Sequence, residues 1–224
     1  MPAKPNTPET PATSVTPNAA DASPDSRRDE LVSAAARLFR ELGYERTTVR
    51  ELAKAVGLQS GSLFHHFRNK EEILMAVMAQ GIEAVIRLGN AAVARYTDPA
   101  DRLAALFRSH MITLLEGVGH DAMIALLYEW RSLSPQGREQ IVVLRDAYEA
   151  LWQSVLDDAA KAGLVHGDTR ILRRFILGGM NWTVQWFQPQ SPNGQSAAEL
   201  TERMLASVLP GLPQGAGLGQ GSGR

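Results

Sequence analysis

The sequence predicts an all-α protein: an N-terminal three-helix domain with a helix-turn-helix, followed by a larger helical domain. Three observations point there. Apolar residues recur at helical spacing almost everywhere between residues 25 and 210. Alternating patterns rich in β-branched residues, which mark strands, are missing. Glycine, proline and hydroxyl residues fall between the periodic stretches, where helices stop and start.

The elements follow in order. Leu31, Ala35, Leu38, Phe39 and Leu42 form one stripe on a first helix, about 26–42, stopped by Gly43. Thr47 or Thr48 caps a short second helix over 48–55, with Glu51 three residues beyond Thr48 as its capping-box partner. A third helix begins near Ser60. The fourth, about 70–95, buries Ile73, Leu74, Val77, Met78, Ile82, Val85 and Ile86. Pro99 opens the fifth at a favoured early position. The remaining helices span roughly 99–117, 121–132, 136–163, 168–187 and 196–209.

The predicted organisation is a disordered tail (1–24), a DNA-binding domain (25–70), a ligand-binding and dimerisation domain (71–210) and a flexible Gly-rich tail (211–224). Six of the 12 prolines lie in the first tail, which is too polar to offset its chain entropy. The chain has no cysteine, which excludes disulfides, thiolate metal sites and cysteine catalysis. No apolar run approaches the ~20 residues that cross a membrane, so no membrane partner is expected and the cytoplasm is the expected location. Charge is uneven. Residues 25–70 hold nine Lys/Arg against six Asp/Glu, a net of +3, whereas residues 71–210 hold 12 against 16, a net of −4. Only the first block suits a polyanion.

The stretch TTVRELAKAVGLQSGSLFHHF reads as two short helices around a tight turn. Ala53 allows close packing, and Gly57 supplies the reversal. The second of these helices, 60–66, is the one expected to enter a major groove. Gln59, Ser60, Gly61 and Ser62 at its start are small or polar and let the backbone approach phosphates. The adjacent His65 and His66 point about 100° apart on a helix and cannot share a metal. No serine or carboxylate is spaced with them for a triad. Neither a metal site, a cofactor nor an enzyme is expected.

Residues 27–75, LVSAAARLFRELGYERTTVRELAKAVGLQSGSLFHHFRNKEEIL at their centre, resemble the DNA-binding domain of the tetracycline-repressor (TetR) family of bacterial regulators. The resemblance implies roles for Thr48 as a cap and phosphate ligand, for Arg50 reaching DNA, and for Gln59, Ser60 and Ser62 facing bases or phosphates. It implies DNA contacts for Phe64, His65 and His66, and a phosphate contact for Lys70. Phe64 stands where the family usually has tyrosine. The missing hydroxyl removes one phosphate hydrogen bond, on the order of 1 kcal/mol.

In the body, Phe107, His110, Met111, Leu114, Met123, Leu127, Trp130, Tyr148, Trp152 and Met180 are candidates for lining a ligand chamber, though each could equally be core. His110 and Tyr148 are the polar groups placed to orient a ligand. Gly178 and Gly179 inside an apolar helix suggest a close helix–helix approach. Trp186 and the stripe Leu200, Met204, Leu205, Val208 are the expected two-fold interface of a homodimer, built from two antiparallel helices.

The pattern GGMNWTVQWFQPQSPNGQSAAE is similar to an acyl-CoA-responsive subgroup of the same family. That resemblance implies a thioester effector near Trp182, with Arg173 or Arg174 meeting its phosphates. The expectation is therefore a repressor on a palindromic double-stranded operator, released by a small hydrophobic effector, an acyl-CoA in the first instance. The alternatives left open are a free lipophilic acid or drug as effector, or a helical sensor acting through protein contacts.

Overall fold

The computed structural model describes residues 24–117, 119–188 and 194–209. The expectations for residues 1–23 and for the tail after 209 lie outside them. The described residues contain helices and no strand. They are α1 (Pro24–Leu42), α2 (Val49–Ala55), α3 (Ser60–Leu63), α4 (Lys70–Val93), α5 (Pro99–Leu115), α6 (His120–Tyr128), α7 (Pro135–Lys161), α8 (Thr169–Trp182) and α9 (Ala197–Val208).

Local chemistry sets most of these boundaries. Gly43 and Gly57 take positive φ, 82° and 68°, where a side chain would be strained. Thr48 caps α2 in a full capping box with Glu51, and Ser196 repeats the device with Glu199 on α9. Asn69, Asp98, Ser134 and Asp168 cap α4, α5, α7 and α8 through their side chains. Three ends differ from expectation. The third helix closes after one turn at Leu63, and the chain reaches Phe67 through turns. The sixth ends at Tyr128, followed by a 3-10 turn at Trp130–Ser132. The eighth ends at Trp182 and tightens into a 3-10 turn at Thr183–Gln185.

One continuous core joins head and body. Leu31, Ala35, Phe39, Leu52, Leu63 and Phe67 fill the head, and Ile73, Leu74, Val77 and Met78 carry the core along α4 into the body. Helix α4 packs on α1, α5, α6 and α7, so it is the axis of the molecule. The expected hairpin of the last two helices is not a packed pair: α8 lies mainly against α7, and α9 mainly against α5. Their inward apolar faces meet different neighbours, which the linear pattern alone could not distinguish.

Three polar struts brace the head and the start of α4 against the body. Glu71 Oε1 accepts from the Ser134 backbone N–H at 2.7 Å. Glu129 Oε1 accepts from the Tyr44 N–H at 3.0 Å. Arg40 pairs with Asp121 across the contact of α1 with α6. Ser134, through its hydroxyl and backbone, holds the Glu71 carboxyl below its ordinary range. A Cβ at Gly137 would lie 2.7 Å from the same Glu71 oxygen, so a larger residue there would push the carboxylate out of the strut.

Candidate functional site

Two regions bring the candidate residues together: the outer side of the head, and a polar cluster inside the body that reaches α8. In the head, Leu52, Ala53 and Leu63 are turned inward while Arg50, Gln59, Gly61, Phe64 and His65 are exposed. Ser60, Ser62 and His66 are half-buried beside them. Phe64 leaves 51% of its surface in solvent, with no core reason to do so. The turn Gln59–Phe67 is pinned by backbone hydrogen bonds from Ser62, His65, His66 and Phe67 to preceding carbonyls.

Two predicted phosphate ligands are occupied within the head itself. The Lys70 ammonium donates to the carbonyls of Tyr44 (3.0 Å), Thr47 (3.2 Å) and Glu45 (3.5 Å), and lies 4.2 Å from the centre of the Tyr44 ring. It ties the start of α4 to the loop between α1 and α2, so all three of its donors already have acceptors. Thr48 donates its hydroxyl proton to Glu51 at 2.8 Å and accepts from the Glu51 N–H. Its one donor is spent on the cap.

In the body, Phe107, His110, Met111, Leu114, Trp152 and Met180 are fully buried, and Met123 and Tyr148 nearly so. They fill the expected chamber with side chains. Phe107 and Trp152 meet edge-on at 6.5 Å, and His110 stacks on Tyr148 with ring centres 5.9 Å apart. Leu127 and Trp130 are half-buried at the periphery, Trp130 under the Arg145 guanidinium at 5.9 Å. The polar heart of this core is a relay from three helices. His110 Nδ1 is 2.8 Å from the Tyr148 hydroxyl, and Nε2 is 3.2 Å from Asn181 Oδ1. Burial holds the His110 imidazole down at about 4 and pushes the Tyr148 hydroxyl above its ordinary range. Asn181 was not anticipated. Its position one residue before Trp182, on the inner edge of α8, is the only signal that could have pointed to it.

The outer face of α8 corrects other expectations. Trp182 is 64% exposed and points away from the core, not into a chamber. Arg174 is also exposed, whereas Arg173 is bound to Glu149 (2.8 Å) and Gln153 (2.9 Å). Ile171, Phe175 and Trp182 share the outward stripe of α8, and Trp186, just past the 3-10 turn, is exposed as well. An added Cβ on Gly178 or Gly179 would meet nothing within 4 Å, so the close approach these glycines permit is not made inside this chain. On α9, Leu200 and Leu205 turn inward and are buried in the chain's own core. Met204 and Val208 are half-buried against it. The inward pair is unavailable to a partner because α5 already covers it.

The sequence matches the family described as bacterial regulatory proteins, tetR family, over residues 31–77, and tetracyclin repressor-like, C-terminal domain, over residues 96–212. It is 30% identical to the HTH-type transcriptional repressor KstR2 of Mycolicibacterium smegmatis, over 87% of this chain and 94% of that protein. Among solved structures, the superantigen PfiT is 44% identical with a TM-score of 0.73, over 85% of this chain and 100% of that one. AibR, in complex with isovaleryl coenzyme A and operator DNA, is 26% identical with a TM-score of 0.75, over 82% and 98%.

Proposed function

The chain belongs to the TetR family of bacterial regulators, and from that premise we propose a homodimeric repressor that binds a palindromic operator and is released by an acyl-CoA thioester. The observation that carries the reading is the outer side of the head. Arg50, Gln59, Phe64 and His65 stand in solvent on a helix-turn-helix whose inner residues are locked in the core. Arg50 supplies the charge for phosphates. Gln59, Ser60 and Ser62 offer hydrogen bonds to bases, and Phe64 offers contact to a thymine methyl. Lys70 and Thr48 act one step back, by fixing the loop that presents these residues.

The stripe Ile171, Phe175 and Trp182 on α8, with Trp186 exposed just beyond the 3-10 turn, is the surface for a second copy, with Gly178 and Gly179 allowing the helices to approach. Release works through α4 and the three struts. An effector that binds the body better when the two heads are wrongly spaced shifts the dimer off its operator, by as much as its affinity differs between the two states. The acyl-CoA assignment draws on AibR, a relative by fold and sequence that was solved with isovaleryl coenzyme A and operator DNA.

The test is fluorescence anisotropy on operators selected from random duplexes. Binding should weaken steeply with salt, and Arg50→Ala should reduce the salt slope by roughly one. A flat salt response would favour a sensor that acts through protein contacts. An acyl-CoA panel added to the complex should release DNA; release only by free acids or drugs would reassign the effector.

A further inference from the structure

A groove of about 600 Å³ runs along the seam between head and body. That lies within the ~300–1,000 Å³ of clefts that hold small ligands. Its head wall is the end of α1 with the turn after it. Its body wall is α6 with the 3-10 turn that follows α8. The floor is apolar. Leu115, Ile124, Val184 and Phe187 line it and stay half-buried, so their surface is incompletely covered.

The rim is polar, and most of its groups are already engaged. Glu41 pairs with Arg40 at 3.1 Å, and Glu129 accepts from the Tyr44 N–H and the Ser132 hydroxyl, each at 3.0 Å. His120 turns Nδ1 to the Leu114 carbonyl at 2.6 Å, which commits the proton on that nitrogen. Two groups remain. Arg46 uses only its Nε, on the Leu42 carbonyl at 2.6 Å, and the rest of its guanidinium meets no acceptor among the described residues. The Tyr128 hydroxyl likewise has no partner among them, and the residue is 48% exposed. A free guanidinium fork and a phenolic donor over an apolar floor suit an acid with a hydrocarbon tail. A wholly apolar molecule would leave the fork unused, and an amine would meet it with like charge.

We propose that this seam binds an amphipathic monocarboxylate, with Arg46 and Tyr128 on the carboxylate and Ile124, Val184 and Phe187 on the tail. The site is separate from any effector site inside the body. Its position gives it leverage on the head. Two of the three struts border the groove: Glu129 holds Tyr44, and Arg40 pairs with Asp121. A molecule seated there bridges α1, α6 and the turn after α8, and so favours the arrangement in which those struts are closed.

The experiment compares octanoate, octanamide and octylamine on the full chain by calorimetry. Octanoate should bind once per chain and at least about tenfold tighter than the amide, because hydrogen bonds between two charged groups are the stronger ones. Octylamine should bind most weakly. Arg46→Gln should bring octanoate down to the level of the amide and leave the amide unchanged. Tyr128→Phe should weaken octanoate by a smaller factor, about fivefold. Hydrogen exchange reports on the unmodified protein: the Tyr44 amide, which forms one strut, should exchange more slowly with octanoate bound. The probe comparison needs no variant, so poor folding of Arg46→Gln cannot rescue the idea. Equal binding of acid and amide, undiminished octanoate binding in Arg46→Gln, or an unchanged Tyr44 amide would overturn it. So would the absence of saturable octanoate binding. Acyl-CoA binding should be untouched by Arg46→Gln; its parallel loss in a folded variant would merge the two sites and overturn the proposal as well.

Discussion

The head and the body solve the same problem, fixing polar side chains on a helical scaffold, in opposite ways. In the head, Lys70 apart, the partners are near in sequence: Thr48 with Glu51, and Thr47 with Gly43, whose carbonyl accepts the Thr47 hydroxyl at 2.8 Å. In the body they are far apart, His110 reaching Tyr148 and Asn181 across 38 and 71 residues. The head is therefore a rigid presenter whose outward residues have no internal duty. The body is a packed core whose polar relay and outer stripe depend on how distant helices are arranged. Regulation needs both, one part that keeps its shape and one whose helices can be rearranged.

The largest test of that contrast is on the outer stripe of α8. Phe175→Asp or Trp182→Asp changes a residue that is 77% or 64% exposed, so the fold of one chain should survive. A charge in the centre of the proposed two-fold contact should leave a monomer by analytical ultracentrifugation. With a single head per particle, operator affinity should fall by ~100-fold or more. A dimer that persists in both variants would move the interface elsewhere.

The next test concerns the relay. The unfolded chain protonates His110 near its ordinary value of 6.5, whereas the folded chain holds the ring neutral down to about 4. Between those values the unfolded state binds more protons, so stability falls as pH falls. The loss should total on the order of 3 kcal/mol by pH 4. His110→Gln should flatten the denaturation profile over that window relative to the unmodified protein. An unchanged slope would mean that the ring is solvated, and the reading of the body as a packed core around its relay would fail.

Lys70 sharpens the same comparison from the other side. If it were a phosphate ligand, Lys70→Met would spare stability and reduce the salt slope of DNA binding. Because its ammonium holds three carbonyls of the loop after α1, the expected result is a loss of about 2 kcal/mol in thermal denaturation. The salt slope should stay unchanged at temperatures where the head remains folded.

What the sequence revealed follows the same division. The helix-turn-helix, the Thr48 cap and the stops at Gly43 and Gly57 are written in contiguous residues, since caps and positive-φ turns are local events. The all-α class followed from periodicity. Periodicity also located the apolar stripes of α8 and α9, but it could not say which neighbour each would meet. Leu200 and Leu205 had the same spacing as an interface and became core against α5. Trp182 looked like pocket lining and became surface. The orientation of Lys70 was hidden for a related reason: a lysine at a helix start is as able to turn back onto a loop as to reach outward, and only the fold places three carbonyls within its range.

Phe64 offers the smallest effect and the cleanest reading of the head. It is half in solvent, so Phe64→Tyr should leave thermal stability unchanged. If the ring lies against the operator backbone, the new hydroxyl gains one hydrogen bond to a phosphate. That is worth about 1 kcal/mol, a roughly fivefold gain in affinity. A neutral hydroxyl releases no counterion, so the salt slope should not move even as the curve shifts. A gain of that size at constant slope would place Phe64 at the backbone. A loss of affinity would place it against a base instead, where the bare ring meets a thymine methyl and a hydroxyl would have to give up its water.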